Sequence, residues 1–151
     1  MEKTYTITRR DIKEGNVTSV PVIPFNPTTG DPGFHPSLIR LAMWDTGCSH
    51  TVISESIVEE LKLIPCGIED KIISATDVRE NLNKYCISIK FENGMVIENY
   101  EVTAIQMMKP IDIAIGMDII GHSDFAITNS NNQIVFSFRY PSQVEIDFTK
   151  E

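Results

Sequence analysis

The sequence predicts a small all-β domain with one or two short helices, and three observations support that class. Short runs rich in Val, Ile, Thr, Tyr and Phe recur along the 151 residues, and turn-forming residues separate them. Two of these runs alternate apolar and polar residues on either side of Asn93-Gly94, which is typical of a β-hairpin. Helical spacing of apolar residues is confined to one segment near Ile57 and a single turn near Met117.

The strands follow from the apolar or alternating runs, taken in chain order. They are predicted at residues 5–8, 17–23, 38–44, 71–75, 85–91, 96–105, 111–115 and 133–138. Within the run at 96–105, the apolar phase shifts between Ile97 and Tyr100, near Glu98 and Asn99, which predicts a β-bulge in the hairpin. The stretch 24–36 is punctuated by prolines and glycines and is predicted to be a loop.

The helices are predicted from capping and breaking signals. Ser56 is the expected N-cap of the first helix, with Glu59 three residues later, and Pro65 prevents its continuation. The second is a single turn over residues 117–120. Asp118 would then stand in its first turn, where carboxylates are favoured, and this is its expected role.

Composition limits the classes of function. The chain is 42% hydrophobic and 23% charged, which predicts one ordinary folded domain over residues 1–151. A net charge of -8 argues against nucleic acid as a partner, because phosphates require a clustered basic surface. No apolar stretch approaches the roughly 20 residues of a membrane span and no signal-peptide pattern opens the chain, so we expect a cytoplasmic location.

The cysteines give no sign of a metal or cofactor. Cys48, Cys66 and Cys86 are odd in number and widely spaced, without the pairs or neighbouring histidines of a zinc site. We therefore expect reduced thiols, no metal and no cofactor.

Two motifs carry the chemistry. The triplet Asp45-Thr46-Gly47 lies between two largely apolar segments and is followed by Cys48, so an acid is presented at a turn with rigid flanks. The apolar run 111–115 ends in Gly116 and leads into the predicted helical turn. By itself, the triplet is a weak signal, because short motifs also occur by chance.

Together the two motifs resemble those of the retropepsin family of aspartic proteases, over residues 17–138. The resemblance implies a closed β-barrel-like domain that dimerises and hydrolyses peptide bonds in a peptide or protein substrate. It gives Asp45 the catalytic role, makes Thr46, Gly47 and Cys48 the rest of the active-site loop, and packs Gly116 against that loop. Thr46 would hydrogen-bond across the dimer interface. Met117 departs from retroviral members, which often carry Arg there.

A homodimer is implied because one chain holds one Asp-Thr-Gly and is too short for two lobes. Two Asp45 carboxyl groups about 3 Å apart would hold one proton between them, as aspartic-protease dyads do. The ionised group would then activate water, and the protonated one would bind the scissile carbonyl.

The resemblance also implies a flap over the substrate, whose tip we place near residues 76–81, beginning with Thr76, Asp77 and Val78. Two alternatives stay open beside the protease. One is a non-catalytic dimeric peptide-binding module with the same fold, and the other is a chain that dimerises only within a larger assembly. For Cys48, a redox brake on the site stands beside a small buried thiol that only fills space.

Overall fold

Strands dominate the computed structural model, which describes residues 3–9, 17–24, 38–73, 78–91 and 94–150. The all-β class with short helices is confirmed. In chain order the elements are β1 (Lys3–Arg9), β2 (Val17–Pro24), β3 (Leu38–Trp44), β4 (Val52–Ser54), α1 (Glu55–Leu61), β5 (Gly67–Ile73), β6 (Val78–Lys90), β7 (Val96–Ile105), β8 (Ile111–Ile115), α2 (Met117–Ile120), β9 (Asp124–Ser130) and β10 (Gln133–Tyr140).

The strands form two sheets. The smaller has the order β1-β10-β9 and the larger β2-β3-β8-β4-β7-β6-β5, in which β2 also pairs with β6. The predicted closed barrel is corrected to this extent: β5 pairs with β6 alone, and in the described part of the chain the smaller sheet shares no pairing with the larger. Within the larger sheet, the β2–β6 pairing connects six strands into a ring, and β5 lies outside that ring. The smaller sheet packs against it, so the strands of the described residues form two packed sheets rather than one barrel.

An aromatic cluster joins the sheets. Trp44 at the end of β3 is 2% exposed, and its ring centroid lies 4.6 Å from that of Phe138 and 4.9 Å from that of Phe136, both in β10. Its indole N–H donates to the hydroxyl of Thr18 in β2 at 3.1 Å, which satisfies the one polar group that burial would otherwise strand. The residue before Asp45 is thus fixed in the core.

The most consequential feature of the larger sheet is the position of β8. It pairs parallel with β3 on one side and antiparallel with β4 on the other, although β3 and β4 are neighbours in sequence. The loop 45–51 that joins β3 to β4 must therefore cross the C-terminal end of β8, where Gly116 lies.

Several predicted details are confirmed and others are wrong. The bulge is confirmed: Glu98 and Asn99 together face the single residue Ser88, and Asn99 has a φ of 49°. The strands β4 and β9 were not predicted, and β6 begins seven residues earlier than expected. Ser56 is not the N-cap, because Ser54 holds that position and its hydroxyl bonds Ser56 and Asp112 instead of the backbone.

The described helices have seven and four residues, and none is long and apolar enough to cross a membrane.

Candidate active site

The turn that carries Asp45 is tied to the end of β8 by backbone hydrogen bonds. The amide of Asp45 donates to the carbonyl of Ile115 at 2.9 Å, and the amide of Met117 donates to the carbonyl of Cys48 at 2.8 Å. Loop and strand end thus hold each other from both sides. An acid fixed by rigid elements is held more accurately than one on a free loop.

The Asp45 side chain is oriented within its own turn. Its Oδ1 accepts the amide of Gly47 at 2.8 Å, and the residue is partly exposed, with Thr46 and Gly47 exposed beside it. An Asp that bonds the amide two residues on forms a compact turn, which aims the carboxyl group outward. The Asp45 carboxyl group therefore stands partly exposed at the surface of the single chain.

Gly116 is the contact point between loop and strand. A Cβ at this position would lie 2.6 Å from the carbonyl carbon of His50 and 2.9 Å from the carbonyl oxygen of Cys48. These are backbone atoms that already hydrogen-bond or lead into β4, so they have little room to move. Glycine is required here by close approach rather than by its dihedral angles.

A second layer of polar contacts locks the far end of the loop. Both carboxylate oxygens of Asp118 accept from Thr51, one from its amide and one from its hydroxyl, each at 2.8 Å. The same hydroxyl accepts the amide of Gly116 at 3.1 Å. Asp118 also accepts from Tyr100 in β7, and burial together with this carboxylate raises the pKa of the Tyr100 phenol. Thr51 thereby bonds both strand end and helix.

Asp118 stands in the first turn of α2 as predicted, but it is not the cap: Gly116 is the N-cap and makes no side-chain cap bond. The Asp118 carboxylate also accepts the amide of the next residue, Ile119, at 2.9 Å. Sequence reasoning did not predict that Asp118 binds Thr51. It also did not single out Thr51 or Tyr100 as residues of this site. The signal for both Thr51 and Asp118 lay close to the two motifs, since Thr51 is four residues after Gly47 and Asp118 is two residues after Gly116. Nothing in the sequence pointed to Tyr100, whose role depends on how β7 lies in the sheet.

Cys48 is a packing residue in this geometry. It is 4% exposed, and its thiol donates to the carbonyl of His50 at 2.9 Å. Burial raises the pKa of this thiol, so it is protonated and poorly reactive near neutral pH. These facts favour the space-filling role over a redox brake.

A small apolar cluster adjoins the loop through Cys48. Its buried members are Cys48, Val52 and Ala114, and Leu82, Ile105 and Met107 pack against them. Leu82 comes from β6 and Ile105 ends β7, so two strands bring apolar side chains beside the active-site loop. We call this group the loop-side cluster.

The predicted flap falls on a hairpin. Strands β5 and β6 pair from Gly67↔Lys84 to Ile73↔Val78, so residues 74–77 connect them. Thr76 and Asp77 lie outside the described residues, and Val78 is 51% exposed at the start of β6. We call β5 and residues 78–84 of β6 the hairpin arm. The flap assignment stays a prediction.

One group among the described residues has the donor atoms and spacing of a metal site. The donor atoms of Cys66, Cys86 and Glu101 lie within 4.8 Å of one another, at the base of the hairpin arm. They do not belong to the active-site loop.

Comparison with known proteins agrees with the motifs. Residues 40–119, just over half of the chain, match the family described as aspartyl protease, and this span contains both Asp45 and Gly116. No curated protein matches the chain. Among solved structures, a retropepsin-like aspartic protease from Rickettsia conorii is similar with a TM-score of 0.47 and 10% identity, over 92% of this chain and 95% of that one. On the family match, which confirms the identification made from the two motifs, this chain belongs to the aspartyl protease family.

Proposed function

We propose that two copies of this chain form one aspartic endopeptidase site, in which each contributes Asp45. The observation that carries the proposal is an exposed carboxyl group on an Asp-Thr-Gly turn that is anchored on both sides to the end of β8. An exposed but rigidly held acid suits a site that is completed by a second subunit.

The chemistry follows from bringing the two carboxyl groups together. One, ionised, takes a proton from water, and the other, protonated, donates a hydrogen bond to the scissile carbonyl. Water then adds to the carbonyl carbon, so no covalent enzyme intermediate forms. The anchored loop holds the two carboxyl groups in place. This lowers the activation free energy most when the groups already have the reactive geometry before the substrate binds.

The loop-side cluster supports a preference for apolar residues at the cleaved bond. Leu82, Ile105 and Met107 are partly buried in the single chain and lie beside Cys48 of the active-site loop. A substrate side chain placed against them would bury further apolar surface, at about 25 cal/mol per Å². The hairpin arm, folded over an extended peptide, would add backbone hydrogen bonds.

The cytoplasmic location also stays a prediction.

The first test is peptide cleavage by the native chain and by Asp45→Asn, between about pH 4 and pH 7.5. Asparagine keeps an oxygen for the Gly47 amide, so the turn should survive while cleavage falls at least about 1,000-fold. Asp147→Asn is the matched control, because it removes a surface carboxylate and should leave cleavage unchanged. Equal cleavage by native and Asp45→Asn chains would refute the proposal.

Subunit mixing tests the shared site. If one site needs two Asp45 residues, random exchange with an equal amount of Asp45→Asn chain should halve the activity per native chain. Unchanged activity would show that one chain suffices. Peptide binding without cleavage, equal in both proteins, would identify the binding module instead.

The apolar preference has its own neighbouring control. Met107→Glu should lower kcat/KM for a peptide with apolar residues at the cleaved bond by about tenfold, whereas Met108→Glu should not, because Met108 is already 89% exposed. Equal effects of the two substitutions would place the substrate elsewhere.

A further inference from the structure

The base of the hairpin arm holds two free thiols in contact. The Sγ atoms of Cys66 and Cys86 are 3.1 Å apart, and the Cys86 thiol donates to Cys66. A disulfide bond is about 2.05 Å long, so the two sulfur atoms need to approach by only about 1 Å. The adjacent backbone is already paired, since the amide of Cys66 donates to the carbonyl of Lys84 at 2.8 Å.

The two thiols differ in access. Cys66 is partly exposed, just before β5, whereas Cys86 is 8% exposed within β6. Burial and the hydrogen bond with Cys66 raise the pKa of Cys86 to about 12, which keeps this thiol protonated near neutral pH. An oxidant therefore meets Cys66 first, with Cys86 next to it as the resolving thiol.

A metal site is the other possibility for the same atoms, and the surroundings favour it less. The third donor, Glu101, forms an ion pair with Lys84 and is 56% exposed, so a metal would have to compete for it. A disulfide needs only the two sulfur atoms that already touch.

We propose that Cys66 and Cys86 form a reversible thiol–disulfide site, oxidised by a low-molecular-weight disulfide such as glutathione disulfide. The Cys66 thiolate attacks one sulfur of the oxidant and releases one glutathione thiol. Cys86 then gives up its proton to the departing glutathione as its own sulfur attacks the Cys66 sulfur, and the second glutathione leaves as a thiol. The two cysteine protons end on the two glutathione thiols. Forming the Cys66–Cys86 bond releases two electrons, and these electrons reduce one glutathione disulfide to two thiols.

The bond would close a loop that contains the whole hairpin arm. Residues 67–85 lie between the two cysteines and include β5 and the exposed first part of β6. Oxidation would thus staple the base of the arm while Asp45 and its loop stay as they are. The thiol chemistry holds whether or not the chain cleaves peptides.

The test is treatment of the whole chain with glutathione disulfide, followed by intact mass, peptide mapping and thermal melting. The native chain should lose two hydrogens, give a Cys66–Cys86 linked peptide, and melt about 5 °C higher until a reductant is added. Cys48→Ala should behave like the native chain. Cys86→Ser should instead carry one glutathione on Cys66, which is the trapped first step.

Three results would overturn the proposal: no reaction, a lasting glutathione adduct on the native chain, or a cross-link that includes Cys48. Because Cys86→Ser changes a buried residue, Cys66→Ser at the partly exposed position provides a second variant and should abolish the cross-link. Glu101→Gln should cross-link normally. Zinc protection of both thiols that is lost in Glu101→Gln, with no cross-link in any protein, would assign the site to a metal instead.

Discussion

The active-site loop and the hairpin arm are built in opposite ways. Loop 45–51 is held by hydrogen bonds to Ile115, Gly116, Met117 and Asp118, and its contact with Gly116 leaves no space for a methyl group. In the hairpin arm, residues 78–81 of β6 are all exposed, and within the part of the chain that the structure describes β5 pairs with β6 alone.

The difference teaches where each task belongs. A reacting carboxyl group must be placed within a fraction of an ångström, so it stands where the surrounding contacts over-determine the backbone. The hairpin arm, which we propose closes over a peptide, has fewer fixed contacts, and regions with few buried contacts are those that open at low free-energy cost. The following predictions, from the largest effect to the smallest, test this contrast.

The largest effect is expected from adding one methyl group at Gly116. In Gly116→Ala the new Cβ meets the backbone of His50 and Cys48, so the loop must shift. We expect a loss of about 3 kcal/mol in the free energy of unfolding and at least a 100-fold loss in kcat/KM. Gly67→Ala in the hairpin arm is the control, because its Cβ meets only the Lys84 side chain, at 3.8 Å. Urea unfolding and peptide cleavage measure both; equal losses would contradict the contrast.

The next effect concerns Asp118. Asp118→Ala leaves the buried Thr51 without its acceptor, which should cost about 2 to 3 kcal/mol and lower kcat/KM about tenfold. Asp147→Ala removes the same kind of pair at the surface, since Asp147 accepts the amide and hydroxyl of Thr149. That control should lose much less stability than Asp118→Ala, because solvent screens the interactions of an exposed carboxylate. Denaturant unfolding of the native chain and the two variants measures these losses. Similar losses of unfolding free energy in the two variants would mean that burial does not strengthen the contact with Thr51.

The third prediction concerns Asp112 at the start of β8, and it tests whether this end of the strand is held as firmly as the end at Gly116. Burial alone would raise the pKa of Asp112, but hydrogen bonds from Lys109 and Ser54 and the charge of Arg40 outweigh it and lower that pKa. A lowered pKa in the folded state means stabilisation that is complete above the unfolded value near 4 and is lost as the pH falls below it.

Asp112→Asn should therefore be about 2 kcal/mol less stable than the native chain at pH 7. The gap should narrow as the pH falls below 4, because only the native chain loses this ion pair. A hydrogen bond from Ser142 also lowers the pKa of Asp124. Both proteins therefore lose the same additional stability in acid, and the gap between them is unaffected. Urea unfolding at pH 7, 4 and 3 measures the gap; a constant gap would rule out the charge as its cause.

The smallest effect is expected in the hairpin region. Lys84 and Glu101 form an ion pair between β6 and β7, but Glu101 is 56% exposed. Glu101→Gln should change the free energy of unfolding by no more than about 0.5 kcal/mol and leave cleavage unchanged. A loss as large as that of Asp118→Ala would show that the arm is as tightly held as the loop.

Sequence reasoning found the parts of the molecule whose pattern is local. The bounds of β3, β7, β8 and α2 match the predicted residues, because strong apolar runs end there at Asp45, Gly116 or turn residues. The bulge at Glu98 and Asn99 was visible as a phase shift for the same reason.

The missed parts depend on contacts that are distant in sequence. Strand β4 has three residues and exists because β8 and β7 flank it. The first residues of β6 are mostly polar and exposed, and among the described residues they pair only with β5, so no buried face marked them as strand. Ser54 was not predicted as the helix N-cap. Its hydroxyl donates to Asp112, 58 residues away, and a contact at that distance leaves no local signal in the sequence. The anchoring of Thr51 by Asp118 is likewise a product of the fold.

The insertion of β8 between β3 and β4 also sets an order of assembly. The loop that carries Asp45 cannot make its hydrogen bonds to Ile115 and Met117 until a segment more than 60 residues further along the chain has been made and has paired with β3 and β4. Such long-range pairing forms late, since the chain must first close a large loop. During synthesis, a ribosome-bound chain that already displays Asp45 would still lack the platform beneath it. If Asp45 acts as proposed, it would become competent only after most of the protein had emerged, and a partly synthesised chain would be inactive.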